Sequence, residues 1–255
     1  MTNFETFLQL HHAEKPLLLG NAWDVASAKM LEQNGLKAIA TSSAAVANTF
    51  GYKDGEHIPF DLLLQTVKRI KDNISVPLSV DMEGGFSRNV SKIIENVECL
   101  HDLGVAGINI EDSLKGDGFT MQPASVFQHI LSSIAEHLAK RNMQMFINAR
   151  TDAFVAKLPN ALKETIARAK LYEAAGASGI FVPFVINRQD IAAIVAATKL
   201  PVNVFAMNGL PTFSELAALG IKRISMGSAL YNAVKHNMQQ SIETVLQEQS
   251  FKCLY

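Results

Sequence analysis

The stretch VDMEGG, residues 80–85, sets Asp81 and Glu83 two positions apart at the end of an apolar run. A second stretch, GINIED at 107–112, ends in Glu111 and Asp112, and a third, MFINARTD at 145–152, ends in Arg150 and Asp152. Side chains of an extended segment alternate between faces, so Asp81 and Glu83 point to one side, as do Asn109 and Glu111. Three carboxylates brought together would repel and raise one another's pKa unless a cation neutralises them. A hard divalent ion answers that need. Asp81, Glu83 and Glu111 are therefore the candidate metal residues, and Mg2+, which takes few direct protein oxygens and keeps several waters, is the expected ion, with Mn2+ the substitute. Strand-end caps or ion pairs with Lys and Arg are the alternative reading of the same acids. Arg150 offers a guanidinium fork suited to a carboxylate or phosphate on a substrate; its own alternative is to pair with one of the acids. In TSSAAVA at 41–47, the small residues Ser42, Ser43 and Ala44 let backbone N–H groups and hydroxyls approach an anion.

Such residues act together only if strands carry them to one place. Eight β-rich apolar runs, at 17–22, 38–43, 76–83, 107–112, 145–152, 179–185, 201–207 and 223–229, alternate with longer segments such as VSKIIENVECLHDLG and ALKETIARAKLYEAAG. In these the apolar residues fall at three- and four-residue spacing and glycine closes the helix. Strict alternation demands crossover connections and parallel strands, which predicts an α/β fold closing as a (β/α)8 TIM barrel, with a doubly wound open sheet as runner-up. Barrel enzymes place their chemistry at the carboxyl ends of the strands. Here the first five ends are polar: Asn21, then Ser42 and Ser43, then Asp81 and Glu83, then Glu111 and Asp112, then Arg150 and Asp152.

The length of 255 residues suits one such barrel, and no linker or composition shift divides it, so a single domain over 1–255 is expected. With 18% charged residues and a net charge of −1, the chain carries no field for a polyanion or an anionic membrane, which argues against nucleic acid and membrane as partners. No apolar run approaches the roughly 20 residues of a membrane helix. Cys99 and Cys253 form no CxxC, and the N-terminus lacks the basic-then-apolar order of a signal peptide, so a reducing cytoplasm is the expected location. Cys99 reads as a small core residue on a helix. None of the seven histidines shows metal-ligand spacing with a partner at a strand end. Asp24 reads as a helix N-cap, and MGSA at 226–229 as a tight turn in preference to a phosphate cradle.

Taken together, NAWDVASA 21–28, TSSAAVA 41–47, GYKDGE 51–56, VDMEGGF 80–86, GVAGINIEDS 104–113 and NARTDAF 148–154 resemble the isocitrate lyase and phosphoenolpyruvate mutase superfamily, closest to its phosphoenolpyruvate phosphonomutase-like branch. The resemblance covers nearly the whole chain. It implies a barrel that exchanges its last helix, here 230–249, between subunits of a dimer or tetramer, and Mg2+ bound under a small oxo- or hydroxy-carboxylate. By motif, Asp81 is similar to the principal metal ligand, and Glu83 and Glu111 to acids that hold the ion's waters. Arg150 matches the arginine that grips the substrate carboxylate, Ser42, Ser43 and Ala44 the loop that binds it from the other side, and Asp54 an acid that in the mutase branch acts on the transferred group. The implied chemistry breaks a bond beside a ketone or carboxylate through an enolate-like oxyanion.

The chain departs from the pattern in the loop after the fourth strand, EDSLKGDGFTMQP. True isocitrate and methylisocitrate lyases carry a Lys-Lys/Arg-Cys-Gly-His loop there, and this loop has neither cysteine nor histidine. The mutases carry a longer loop with two lysines and an asparagine. Here Ser113 replaces the first lysine, Lys115 is the candidate to replace one of them, and Pro183 stands where the mutases have a histidine. The expected function is therefore a Mg2+-dependent lyase or hydrolase cleaving a C–C bond. The alternatives are a phosphoenolpyruvate mutase or phosphonopyruvate hydrolase, and an oxoacid-binding homologue without catalysis. A Schiff-base aldolase is disfavoured because no strand end carries a lysine.

Overall fold

The computed structural model describes residues 1–114 and 118–255; Lys115 lies outside the described residues. The strands are β1 (Leu17–Ala22), β2 (Ile39–Thr41), β3 (Leu78–Asp81), β4 (Gly107–Glu111), β5 (Ser113–Leu114), β6 (Thr120–Met121), β7 (Phe146–Arg150), β8 (Gly179–Phe181), β9 (Val202–Phe205) and β10 (Arg223–Ser225). The helices are α1 (Asn3–His12), α2 (Val25–Gln33), α3 (Ser43–Thr49), α4 (Phe60–Lys71), α5 (Val90–Asp102), α6 (Ala124–Lys140), α7 (Ala161–Ala174), α8 (Arg188–Ala197), α9 (Phe213–Ala218) and α10 (Ala229–Glu248). Eight strands close in the order β1-β10-β9-β8-β7-β4-β3-β2, and β5 pairs with β6 as a separate ribbon. Closure rests on the parallel pairing of Leu17 with Arg223 across β1 and β10, which rules out the open sheet. This is the expected (β/α)8 TIM barrel.

The helices bury one stripe each. In α5, Ile93, Asn96, Val97 and Leu100 face inward at helical spacing, and Asn89 caps the start by accepting from the Ser91 amide. Cys99 lies off that stripe and is exposed, contrary to the core position expected of it. Asp24 caps α2 as expected, its carboxylate accepting from the Ser27 amide at 2.7 Å. The N-terminal helix α1 carried no expectation from the sequence. Its Phe7 packs with Leu17, Leu19, Ala38, Ala106 and Phe146, residues at the amino ends of their strands, and so plugs the amino-terminal mouth of the barrel. His11 is locked in the same plug, its ring stacked on Phe146 at 4.1 Å and its Nδ1 donating to the Phe7 carbonyl at 2.8 Å. Burial, with Arg223 nearby, pushes its pKa down to about 3, so it is neutral when folded.

Above the plug the barrel interior is polar. Asn148 Nδ2 donates to Asn109 Oδ1 at 2.8 Å and to Asn203 Oδ1 at 3.1 Å, and Arg223 Nη2 donates to Asn109 Oδ1 at 3.0 Å. Gly179 makes room for this layer, since a Cβ there would sit 2.9 Å from Asn148 Oδ1. Arg223 is 1% exposed, and its Nε and Nη1 have no hydrogen-bond partner among the described residues. Burial lowers its pKa, and Asp81 at the carboxyl end opposes that shift.

Candidate active site

A cavity of about 230 Å3 opens at the carboxyl ends of the strands. Its size suits a small metabolite, below the ~300 Å3 at which drug-sized sites begin. Asn21, Ser42, Ser43, Ala44, Asp54 and Asp81 line one side, Asn109 and Arg150 the floor, and Phe181, Phe184 and Phe205 the other side. A wider, shallow concavity of about 600 Å3 near the start of α7 lies apart from the strand ends.

Arg150 is the best-held group. Its Nη1 meets Glu111 Oε2 at 2.8 Å, while Nε and Nη2 donate to the two oxygens of Asp152 at 2.7 and 3.0 Å. Burial opposes its charge, but Glu111 and Asp152 more than reverse that and keep the guanidinium protonated. Two of its N–H groups, on Nε and Nη2, are thereby hydrogen-bonded to Asp152, the contact with Glu111 is an ion pair, and the guanidinium lines the cavity. The Ser113 hydroxyl contacts both acids, Asp152 at very short range and Glu111 at 3.3 Å. The residue that replaces the expected lysine is thus built into the mounting of Arg150.

Asp81 ends β3 and faces the cavity. Its Oδ2 accepts from Ser43 Oγ at 2.7 Å and from the Ser43 amide at 3.4 Å, and its Oδ1 takes no hydrogen bond from the described residues. Ser43 Oγ also lies 3.2 Å from Asp54 Oδ1, so one hydroxyl sits between two carboxylates. Ser42 is the N-cap of α3, accepting from the Ala45 amide at 3.3 Å. The first turn of α3 thus starts at the cavity, which Ser42, Ser43 and Ala44 line.

Glu83 and Glu111 are not among the residues that line the cavity. The strand stops at Asp81, and Glu83 takes a left-handed backbone with φ 50°, so the two-residue alternation does not extend to it. Glu83 is buried, and its Oε1 accepts from the Glu56 amide at 3.0 Å, holding the loop that carries Asp54. Glu56 tightens the same loop, its carboxylate accepting from the Phe86 amide at 2.6 Å and pairing with Arg88 at 2.7 Å. Glu111 is committed to Arg150. Among the described residues no three His, Cys, Asp or Glu side chains are grouped closely enough to hold a metal ion.

Asp112, another polar strand end, serves α7. It accepts from Tyr172 Oη at 2.7 Å, Arg168 Nη1 at 3.0 Å and the Asp152 amide at 3.0 Å, and burial raises its pKa against these contacts. Arg168 also donates to the Gln122 carbonyl at 3.1 Å, tying down the exit of the loop after β4. Asn21 is a staple, its Oδ1 accepting from the Met226 and Gly227 amides at 2.9 Å each, and MGSA closes as the tight turn expected, the Ala229 amide donating to the Met226 carbonyl at 3.0 Å. The aromatic side of the cavity was not foreseen. Phe181 and Phe205 read as ordinary strand residues, and only their place at the last position of β8 and β9 marks them.

Comparison with known proteins agrees in kind. The family model described as phosphoenolpyruvate phosphomutase matches residues 7–246. An uncharacterized protein of Mycobacterium tuberculosis (strain H37Rv) is 34% identical over 228 residues, covering 89% of this chain and 84% of that protein. An oxaloacetate decarboxylase of Paraburkholderia xenovorans is 30% identical, over 87% of this chain and 74% of its own. A solved structure from Burkholderia cenocepacia J2315, a candidate phosphonomutase, superposes with a TM-score of 0.90 at 34% identity, over 94% of this chain and 99% of that one.

Proposed function

Because the chain belongs to the phosphoenolpyruvate phosphomutase family, within the superfamily of phosphoenolpyruvate mutases and isocitrate lyases, we propose that it is a Mg2+-dependent lyase or hydrolase of a small α-oxo- or hydroxy-carboxylate, breaking a C–C bond through an enolate-like intermediate. The observation that carries this reading is the mounting of Arg150 opposite Ser43 and Asp81 across one small cavity. A fork fixed in direction by two acids suits a carboxylate in the cavity, and Ser43 and Ala44 line the other side.

The charge balance supports a cation. Asp54, Asp81, Glu111 and Asp152 stand in or directly behind the cavity, against Arg150 and, from below, Arg223, among the described residues. An anionic substrate would meet net negative charge unless a divalent ion came with it. The open Oδ1 of Asp81 suits an ion that takes one direct protein oxygen and keeps its waters. We assign Asp81 as that ligand, and Glu83 and Glu111 as acids that hold the loop and the arginine around it. When bound, Mg2+ supplies positive charge where the oxyanion develops. Arg150 holds the carboxylate, and Asp54, exposed at the mouth and in contact with Ser43 Oγ, is placed to move a proton at the reacting carbon. Pro183 in the cavity wall, in place of a protonatable side chain, favours carbon over phosphorus chemistry.

No described helix is long and apolar enough to cross a membrane. We assign the exposed stripe Val234, Met238, Ile242 and Leu246 of α10 to contact with a second copy of the chain, in a dimer or tetramer.

The test is oxalate binding by calorimetry with and without Mg2+, alongside pyruvate or glyoxylate release from oxaloacetate, substituted malates and phosphonopyruvate. Oxalate should bind only with Mg2+, and Asp81→Asn should abolish that dependence. Equal binding in the presence of a chelator would sink the metal assignment, and phosphate release from phosphonopyruvate would move the reaction to P–C cleavage.

A further inference from the structure

The side of the cavity away from Asp81 is aromatic and continuous. Phe181 lies under Arg150, with the guanidinium carbon 5.6 Å from the ring centroid. Phe205 meets Phe181 edge-on at 6.3 Å, and Phe184 rests against Phe205 at 5.4 Å, so the three rings run outward from the arginine to the mouth. Pro183 lines the cavity with them.

Two features hold this wall in place. Phe184 is 48% exposed yet keeps a left-handed backbone with φ 65°, a costly state for a bulky side chain and one that concentrates at functional sites. Gly227, itself at φ 54°, packs on the Phe205 ring, where a Cβ would come within 3.0 Å of Cδ2. Among the described residues that line the cavity, Arg150 is the one cation, and it stands at the inner end of the rings. Near the outer rings the polar lining consists of Ser225 and Ser228.

A carboxylate on Arg150 therefore directs whatever lies beyond it along three rings. Among the described residues, a phosphonate or second carboxylate there would lose its water without gaining a charge partner, whereas an alkyl or aryl group would gain apolar contact. We propose that the outer half of the cavity is a specificity subsite formed by Phe181, Phe205 and Phe184, and that the substrate is an α-oxo- or hydroxy-acid whose substituent beyond the carboxylate core is apolar and uncharged. This rests on the reading of Arg150 and Asp81 as the carboxylate and metal core.

The test is a binding ladder measured by calorimetry with Mg2+ present: oxalate as the core-only probe, then pyruvate, 2-oxobutanoate and 4-methyl-2-oxopentanoate, with 2-oxoglutarate and phosphonopyruvate as charged counterparts. Affinity should rise about fourfold for each added buried carbon, the equivalent of about 0.8 kcal/mol, and both charged acids should bind more weakly than 2-oxobutanoate. Phe205→Ala should flatten the alkyl ladder, and Phe205→Arg should turn the preference toward 2-oxoglutarate. If oxalate binds but the wild-type ladder is flat or favours the charged acids, the apolar subsite is wrong and the core assignment stands. If oxalate does not bind, both are overturned. The wild-type ladder decides even if neither variant folds.

Discussion

At the scale of single residues, Arg150 explains why acids cluster at this rim. Asp152 takes two of its N–H groups and Glu111 pairs with Nη1, which together fix its plane, and Ser113 links the two acids. A lysine, with a compact ammonium, cannot span Glu111 and Asp152 and still face a ligand. Arg150→Lys should weaken oxalate binding roughly ten- to a hundredfold, the worth of one charge-assisted hydrogen bond, about 1.5–3 kcal/mol. Calorimetry reads this directly, and wild-type affinity in the variant would remove Arg150 from the site. That Asp81 and Arg150 end strands and line one cavity was legible in the sequence, because a strand end is a local feature. The commitments of Glu83 and Glu111 were not, because each depends on a partner from another segment, the Glu56 amide and the Arg150 fork.

At the scale of elements, α1 shows how a short amphipathic helix can set a pH limit on the fold. His11 is buried and neutral, with its folded pKa pushed down to about 3 from an ordinary value of 6.5. Between those values the unfolded chain binds a proton that the folded chain does not, so the contribution is complete above about pH 6.5 and is lost as pH falls. The loss is about 1.4 kcal/mol per pH unit for one group, or about 2 kcal/mol by pH 5. Urea unfolding at pH 7 and pH 5 should show this loss in the wild type. In His11→Phe, which keeps a ring against Phe146, the loss should be smaller by that amount; equal pH slopes would show that His11 can charge within the fold.

At the scale of the whole molecule, α10 buries no residue, and Val234, Met238, Ile242 and Leu246 repeat at four-residue spacing along one exposed stripe. This stripe, on a helix of 20 residues, is the surface proposed to meet a second copy of the chain. Met238→Glu combined with Ile242→Glu should lower the mass measured by light scattering to that of a smaller assembly, without lowering the melting temperature of the barrel by more than a few degrees. An unchanged mass would place the subunit contact elsewhere. The sequence by itself determined the barrel and the ring of polar strand ends, since alternating strand and helix periods and the two-residue step of a strand are written locally. It also put Asp81, Arg150 and the Ser42–Ser43 turn at strand ends, and these residues line one cavity. Only the tertiary structure decided the rest: that Glu111 serves Arg150, that Glu83 holds the Asp54 loop, that Asp112 anchors α7, and that Phe181, Phe184 and Phe205 form one wall. Each depends on which distant segments closure of the barrel sets side by side, and no local period carries that information.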